Sequence, residues 1–235
     1  MSALAILENA LWSGEYSSLA DSHSHRAIRE DSISISKGRD AILAKWVEVG
    51  DLAANVAIDL GGMVAVQGAN NEWQLHRWVW REDGRILREV EVTNRQRDLV
   101  APSVHPPIGE LRAGLGQYAA TAEPELPPQF PEEARGFVQT LHSAWNGRAF
   151  SSKIPGTIRN LIHDMPDATF YFEHAIVRDG ATAVLFRMAA HHHSGRRVRL
   201  FGSHLVNKDG DAETVVDWSA YIAQQTEAHI QYGLE

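Results

Sequence analysis

Two periodicities of apolar residues divide the chain into helical and extended stretches. Apolar side chains recur every three or four positions over residues 39–49, 137–145 and 154–162, which predicts three amphipathic helices. Over residues 170–177 the period changes to two, which predicts a strand with one buried face. We predict further strands at residues 53–58, 63–68, 72–80, 85–92, 182–191, 198–206 and 213–218.

Short charged turns separate the predicted strands. Asp83-Gly84, Asp179-Gly180 and Asp209-Gly210 each lie between two alternating stretches, and Asp-Gly in that position is a strong signal for a tight β-hairpin. In each half of the chain the predicted helices come first and a meander of strands follows. This order predicts an α+β fold rather than an alternating α/β fold.

Proline is concentrated in the middle of the chain. Seven of the nine prolines lie between Pro102 and Pro131, and proline this dense is incompatible with a helix or a central strand. We therefore predict a first domain over residues 1–100, a linker over 101–130 and a second domain over 131–235. Each predicted domain has the common size of an independently folding unit.

The two halves carry matching landmarks. Trp12 ends the first predicted helix of one half and Trp145 that of the other, while Asp83 and Asp209 mark their last hairpins. The separations are 71 positions (83 − 12) and 64 positions (209 − 145). This near-equal spacing indicates a duplicated domain.

Composition narrows the function classes. The chain has 22 Lys and Arg against 30 Asp and Glu, a net charge of −8, which argues against nucleic acid or an anionic membrane surface as partner. No apolar run approaches the roughly 20 residues of a membrane-spanning helix, and the N-terminus lacks the basic start of a secretory signal. With no cysteine, disulfides and thiolate chemistry are excluded. We expect a soluble, cytoplasmic protein.

Several of these features together resemble the nuclear transport factor 2-like superfamily. They are the helix ending in Trp145, the helix start Gly38-Arg39-Asp40-Ala41-Ile42, and the turn over Asp83–Ile86. In the second half, His193-Ser194-Gly195-Arg196, Lys208-Asp209-Gly210 and the closing stretch Glu213–Gln224 are similar to the SnoaL-like polyketide cyclase branch. The first half carries fewer such features, so we expect the first domain to be largely structural.

The resemblance implies a fold and a mode of association. The fold is a pair of tandem cone-shaped domains, each with N-terminal helices packed on a strongly curved, mostly antiparallel sheet and a pocket at the open end. The tandem pair would pack as an internal pseudo-dimer, and a further homodimer is left open. The expected partner is a hydrophobic small molecule.

The resemblance also implies cofactor-free acid–base chemistry on a carbonyl compound, by cyclisation, isomerisation or dehydration. His193 corresponds, by its His-Ser-Gly context, to the pocket histidine of the SnoaL-like cyclases. Asp217 is the carboxylate nearest to the position of their catalytic aspartate, and His204 is a second candidate acid–base group. The expected substrate-binding residues are Tyr171, His174, Phe201 and Trp218.

The residues themselves leave a non-catalytic alternative open. A histidine among apolar strand neighbours is more often a hydrogen-bonded core residue than a catalyst. The alternative function is therefore a ligand-binding or assembly domain pair. In the first half, Asp21 and His23 fall after the first helix, where a polar connecting loop is favoured over an orienting pair.

The run His191-His192-His193 raises the question of a metal. Successive strand residues point to opposite faces, so His191 and His193 share a face that His192 does not. Two histidines need a further ligand, and the chain has no His-Glu-x-x-His motif. We expect no metal and no cofactor.

Overall fold

The computed structural model of the protein describes residues 19–32, 34–49, 54–68, 73–95, 130–148, 154–191 and 197–223. The chain divides into two compact units, Met1–Arg95 and Gln96–Glu235. Each unit combines helices with a mostly antiparallel sheet, so the predicted α+β class is confirmed. Of the predicted linker over 101–130, residues 101–129 lie outside the described residues.

The described part of the first unit contains two helices and a six-stranded sheet. The elements are α1 (Leu19–Ser22), β1 (His23–Glu30), β2 (Ile35–Lys37), α2 (Arg39–Val49), β3 (Ala54–Asp59), β4 (Met63–Gly68), β5 (Gln74–Glu82) and β6 (Arg85–Thr93). The strand order is β2-β1-β6-β5-β4-β3. Strand β1 runs parallel to β6, and all the other neighbours are antiparallel.

The described part of the second unit contains two helices, a further short helical stretch and a four-stranded sheet. The elements are α3 (Glu132–Asn146), α4 (Gly156–Asp164), β7 (Thr169–Arg178), β8 (Ala181–His191), β9 (Arg197–Val206) and β10 (Ala212–Val216). The strand order is β10-β9-β8-β7, with every pair antiparallel. Residues 219–223, after β10, are again helical.

Two of the predicted Asp-Gly hairpins have the backbone geometry that this dipeptide favours. The φ angles are 51° at Asp83 and 76° at Gly84, and 53° at Asp179 and 79° at Gly180. Positive φ at both central residues is the mark of a type I′ turn, whose twist matches that of the strands on either side. These turns set the register of β5 with β6 and of β7 with β8.

The second unit has its own hydrophobic core between α3, α4 and one face of the sheet. Helix α3 contributes a buried stripe that includes Ala134, Val138 and Trp145. The sheet contributes alternating residues such as Phe170 and Phe186. Glu132 and Glu133, in the first turn of α3, are favourable there because carboxylates stabilise the positive end of the helix dipole.

Arg148 fixes the end of α3 to the chain that leads into β7. Its guanidinium donates hydrogen bonds to the carbonyl oxygen of Trp145 at 2.8 Å and to that of Pro166 at 3.1 Å. It also donates to the carbonyl oxygen of Ala168. These bonds hold Trp145, which forms one side of the site described below, in a fixed position over the sheet.

The sequence prediction was wrong about the start of the first unit. Strands β1 and β2 precede α2, where we predicted helices before all strands and a loop around His23. The reason is that β1 carries polar residues on a buried face, so its sequence lacks the apolar alternation that identifies a half-buried strand. The helix that we predicted to end at Trp12 lies outside the described residues.

The two sheets differ in size. Within the described residues the second unit has four strands where the first has six. The internal repeat, the cone shape and the pseudo-dimer therefore stay predictions. In the described part of the chain, no helix combines the length and the apolar character needed to cross a membrane.

Candidate functional site

His204 lies near the C-terminal end of β9, on the face of the sheet that α3 covers. Its register partner on β10 is Thr214, whose hydroxyl oxygen lies 2.8 Å from His204 Nδ1. The ring of Phe137, from α3, stacks on the imidazole with the ring centroids 6.0 Å apart. The imidazole is therefore buried beside an aromatic ring, and a hydroxyl group fixes its orientation.

Trp145 forms the adjoining side of this site. Its ring meets His204 edge-on with a centroid distance of 5.7 Å and Phe186 with one of 5.1 Å. Phe170 and Phe172, on β7, each lie 5.4 Å from the Trp145 ring. Tilted and edge-on contacts of this kind are the favoured geometry of aromatic pairs. The second unit thus surrounds one imidazole with a rigid aromatic cluster.

His142 is a buried histidine that the sequence analysis did not single out. It lies on α3, and its ring centroid is 6.1 Å from that of Phe172. The sequence spacing does indicate that His142 is buried. Val138, Leu141, His142 and Trp145 follow the i, i+3, i+4, i+7 pattern of one helical face. His142 is therefore a second ionisable side chain in the interior that holds His204.

Asp217 and Trp218 lie where β10 has ended and a helical turn begins. Asp217 Oδ1 accepts hydrogen bonds from the backbone N–H of Ser219 at 3.0 Å and from the Ser219 hydroxyl at 2.5 Å. This is the geometry of a helix N-cap. Trp218 is buried and packs edge-on against Tyr221 at 5.8 Å. The structure gives Asp217 a capping role, and its catalytic role stays a prediction.

Phe201 and His204 lie on opposite faces of the same strand. They are three positions apart on β9, and successive strand residues alternate between faces. Phe201 is buried, with the Arg187 guanidinium 4.9 Å above its ring. The same guanidinium forms an ion pair with Glu173 at 2.9 Å. Phe201 therefore belongs to a cluster of polar and aromatic side chains on the opposite face of the sheet from His204.

A β-bulge decides where the predicted residues of β7 point. The register of β7 against β8 shifts between Phe172 and His174. The bulge reverses which residues of β7 face the core. Phe172 is buried before the bulge, and after it Ala175 is buried rather than His174. His174 is half-buried, and Tyr171 is 41% exposed. Their roles in substrate binding stay predictions.

His191 is the member of the His191-His192-His193 run that lies within the described residues. Its Nδ1 is 2.6 Å from Asp167 Oδ2, and its backbone N–H lies 3.1 Å from both oxygens of that carboxylate. His193, the predicted acid–base residue, lies outside the described residues. Among the residues that the structure describes, no three His, Asp or Glu side chains form a group suited to a metal ion.

A chain of buried polar groups in the first unit begins at the junction of α1 and β1. The Ser22 hydroxyl oxygen lies 2.8 Å from His23 Nδ1, and His23 Nε2 lies 3.2 Å from Glu89 Oε2. All three residues are fully buried. Because an ionised carboxylate can only accept, Nε2 of His23 carries a hydrogen in its contact with Glu89.

Two arginines complete this network, which we call the first-unit polar network (Ser22, His23, Arg29, Arg77, Glu89 and Glu91). Arg29 is opposite Glu89 in the β1–β6 register, and Arg77 is opposite Glu91 in the β5–β6 register. Arg29 Nη2 donates to Glu91 Oε2 at 2.8 Å, and Arg77 Nη2 also donates to that oxygen. Glu89 Oε1 lies 3.2 Å from Arg77 Nη1 and 3.5 Å from Arg29 Nε.

The charges of the network reverse the effect of burial on Glu89. Burial alone would raise the pKa of this carboxyl group, but Arg77, the hydrogen bond from His23 and the charge of Arg29 lower the pKa to about 2. Glu89 and Glu91 share a strand face because they are two positions apart on β6. That Glu-x-Glu spacing inside a strand was the sequence signal for a buried charge cluster.

Comparison with known proteins finds no matching family and no matching curated protein. Solved structures do show similarity. One is a protein from Sinorhizobium meliloti provisionally named a polyketide cyclase, with 22% identity, a TM-score of 0.30 and coverage of 38% of this chain and 92% of that chain. A second is a nuclear transport factor 2-like protein of unknown function from Cytophaga hutchinsonii, with 12% identity, a TM-score of 0.34 and coverage of 41% and 90%.

A third similar structure is a nuclear transport factor 2-like protein of unknown function from Burkholderia xenovorans. It has 16% identity and a TM-score of 0.33, and the match covers 46% of this chain and 88% of that chain. All three matches therefore span about half of this chain or less. The function proposed next depends on the side-chain geometry of the chain itself.

Proposed function

We propose that the second unit binds a hydrophobic carbonyl compound and that His204 transfers a proton to and from it without a cofactor. The observation that carries this proposal is the buried imidazole of His204, held by Thr214 within an aromatic cluster. Imidazole is the side chain that exchanges protons most readily near neutral pH. Proton transfer by a positioned histidine is the commonest form of general acid–base catalysis.

The hydrogen bond to Thr214 is compatible with His204 acting either as a base or as an acid. A hydroxyl group both donates and accepts, so it can satisfy either tautomer of the imidazole. When Nδ1–H donates to the Thr214 oxygen, Nε2 takes up a proton from the carbon next to the carbonyl group. The electron pair of that C–H bond forms a C=C bond while the carbonyl π pair moves to the oxygen, giving an enolate. In a substrate with a C=C bond next to the deprotonated carbon, return of the proton at the far end of that bond completes an isomerisation.

Asp217 and His193 are the partners that we propose for this step. Asp217 is buried, and the Ser219 N–H and hydroxyl hold its carboxylate in place. His193 enters the proposal through its sequence context alone. In this proposal one of these groups returns the proton or stabilises the enolate oxygen, which is where negative charge develops.

The proposal predicts exchange of ketone protons in heavy water. We expect the wild-type chain to speed deuterium incorporation next to the carbonyl group of 2-tetralone, followed by proton NMR. His204→Gln should lower this rate by about a hundredfold or more, the usual contribution of a general acid–base group. The matched control is His163→Gln, since His163 is half-exposed and its Nδ1 lies 3.2 Å from Asp164, its neighbour in the chain.

Thermal shift measurements separate binding from catalysis. A ligand that binds the folded chain raises its melting temperature by mass action, so 2-tetralone should stabilise both the wild type and His204→Gln. Equal exchange rates in the wild type and in a folded His204→Gln chain would overturn the acid–base role of His204. Loss of exchange in Asp217→Asn or His193→Gln would identify the second group.

One observation favours the non-catalytic alternative. Trp145 is fully buried and contacts the rings of His204, Phe170, Phe172 and Phe186, as a purely structural aromatic core would require. In that alternative the chain is a ligand-binding or assembly protein and His204 is a hydrogen-bonded core residue. A thermal shift with 2-tetralone and no proton exchange would support it.

A further inference from the structure

Strand β9 begins with two arginines on the face of the sheet that points away from the core of the second unit. Val198 and Leu200 belong to that core, so Arg197 and Arg199, which alternate with them, face the other way. Both arginines are exposed. Within the described part of the chain, neither guanidinium has an ion pair or a hydrogen bond. The buried residues between them fix the spacing of these two cationic positions on the surface.

The described charged residues near these arginines have partners of their own. Arg187 pairs with Glu173 at 2.9 Å, and Nδ1 of His191 lies 2.6 Å from Asp167 Oδ2. Asp217, just after β10, accepts hydrogen bonds from the helical turn that it caps. Among the described residues, the two arginines of β9 are therefore the cations of this surface to which carboxylates of a partner can bind.

Within the described residues, the start of β9 also has a strand neighbour on one side only. Strand β8 pairs with β9 over its whole length, Arg197–Val206. Strand β10 pairs only with residues 202–206 of β9. The backbone N–H of Asp217 then donates to the carbonyl oxygen of Phe201 at 3.0 Å. Residues 197–200 are therefore an edge of the described sheet, and an extended segment can add to such an edge as a further strand.

The spacing of the two arginines indicates the chemistry of that segment. Residues two positions apart on a strand lie about 7 Å apart on one face, and an added strand has the same repeat. Asp or Glu at alternate positions of the added strand would lie beside Arg197 and Arg199, as opposite charges do in cross-strand pairs. A nucleic acid is disfavoured, because the chain has a net charge of −8 and polyanions select larger clusters of Lys and Arg.

We propose that the start of β9 is a docking site for an extended acidic segment of a partner protein. The segment adds to the sheet beside residues 197–200 and places two carboxylates on Arg197 and Arg199. A guanidinium group binds a carboxylate through paired N–H donors, and both arginines are on the surface, so docking needs no cavity. The site does not depend on the function proposed for His204, which lies on the opposite face of β9.

Three peptides test the chemistry of the segment. They are acetyl-Thr-Glu-Val-Glu-Val-Thr-amide, its isomer acetyl-Thr-Glu-Glu-Val-Val-Thr-amide, and the neutral analogue of the first with Gln in place of Glu. Each is titrated into the isotope-labelled full chain and followed by amide NMR. The alternating peptide should bind about five- to twenty-five-fold more tightly than the neutral analogue, about fivefold for each exposed ion pair. The isomer should bind more weakly, because its adjacent glutamates point to opposite faces of a strand.

The peptide experiment has results that would overturn the proposal. They are no binding of the alternating peptide, equal binding of the isomer or of the neutral analogue, and tighter binding of a single-stranded thymidine oligonucleotide. The amide signals of residues 197–200 should shift on binding, and peptide binding that leaves these signals unchanged would place the site elsewhere.

Two variants test the position of the site. Arg197→Gln and Arg199→Gln should each lower the affinity for the alternating peptide about fivefold, and added salt should lower the affinity of the wild type. Both side chains are exposed, so we expect both variants to fold. The matched control is Arg159→Gln, because Arg159 is exposed on α4 and has no ion pair among the described residues. Unchanged affinity in both β9 variants, or a loss of equal size in Arg159→Gln, would contradict the site.

Discussion

The buried polar residues of the two units are stabilised in different ways. His204 meets the hydroxyl group of Thr214 and aromatic rings. Glu89 is charged, and Arg77, His23 and Arg29 together compensate the cost of burying its charge. Removing one partner of a buried charge typically costs about 3–5 kcal/mol, because an uncompensated charge is left behind. Substitutions in the first-unit polar network should therefore be more costly than those at His204.

Glu89 should make the stability of the first unit depend on acid pH. Its folded-state pKa of about 2 lies below the ordinary value of 4.5, so its ionised form stabilises the fold at neutral pH. This contribution is fully present above pH 4.5 and is lost as the pH falls towards 2. The difference corresponds to about 3 kcal/mol. Urea unfolding of the wild type at successive pH values should show the loss.

Comparison with Glu89→Gln assigns that loss to one residue. The stability difference between the wild type and Glu89→Gln should shrink as the pH falls through this range. The control is Glu82→Gln, since Glu82 and its partner Arg26 are exposed and 3.4 Å apart, and its difference from the wild type should stay small throughout. A difference for Glu89→Gln that is constant from pH 5 to about 2 would show that the network does not lower the pKa of Glu89.

Gly202 should be a position where even one added methyl group is costly. A Cβ at this position would lie 2.0 Å from the ring of Phe186, which is buried in the core. We expect Gly202→Ala to reduce the free energy of unfolding by about 1–3 kcal/mol, as overpacking does. Thermal or urea unfolding followed by circular dichroism measures this.

The chain offers a matched control for the glycine substitution. Gly136 lies on α3, is exposed, and has no atom within 4 Å of an added Cβ. Gly136→Ala should stabilise the helix by about 0.5–1 kcal/mol, because alanine is the better helix former. Equal effects of the two substitutions would mean that Phe186 moves aside and that the aromatic cluster is less rigid than its contacts indicate.

At the scale of secondary-structure elements, local patterns predicted most of the fold. Helix α2 occupies the predicted residues, Arg39–Val49, and β4 the predicted Met63–Gly68. The Asp-Gly dipeptides at 83–84 and 179–180 form the hairpins expected of them. These features succeed because turn chemistry and the burial of one face are set by residues close together in the chain.

Pairings between distant parts of the chain could not be predicted in the same way. Strand β1 is mostly polar, and its parallel partner β6 lies more than 50 positions away, so neither periodicity nor a turn signals the contact. The bulge in β7 likewise changes which face His174 joins, although the alternation of the sequence is unbroken there. The candidate site was therefore predicted in part, with His204 named and His142 and the first-unit polar network missed.

Variants of Asp217 test whether this residue stabilises the start of a helix rather than taking part in catalysis. As a helix N-cap, its side chain satisfies the Ser219 N–H at 3.0 Å. Asp217→Ala should cost about 0.5–2 kcal/mol, whereas Asp217→Asn should change stability by only a few tenths, since asparagine caps equally well. Thermal unfolding of the two variants decides this. Equal destabilisation by both would show that the charge of Asp217, rather than its capping bond, is what the fold needs.

At the scale of the whole molecule, each unit carries its own buried cluster. Among the described residues, the core cluster of the second unit runs from Phe130 to Ile222. The first-unit polar network lies entirely within residues 22–91. The site proposed around His204 and the first-unit polar network follow this division.

Reciprocal core substitutions test whether the two units also unfold separately. Leu200→Ala removes buried methyl groups from β9 and should cost about 2–5 kcal/mol, while Val90→Ala in β6 should cost about 2 kcal/mol. Hydrogen exchange measured by mass spectrometry reports the opening of each segment. Leu200→Ala should speed exchange in β7–β9 and leave β4–β6 unchanged, and Val90→Ala should do the reverse. If either substitution speeds exchange equally in both sets of strands, the chain unfolds as one cooperative body, and a ligand bound near His204 would then stabilise the first unit as well.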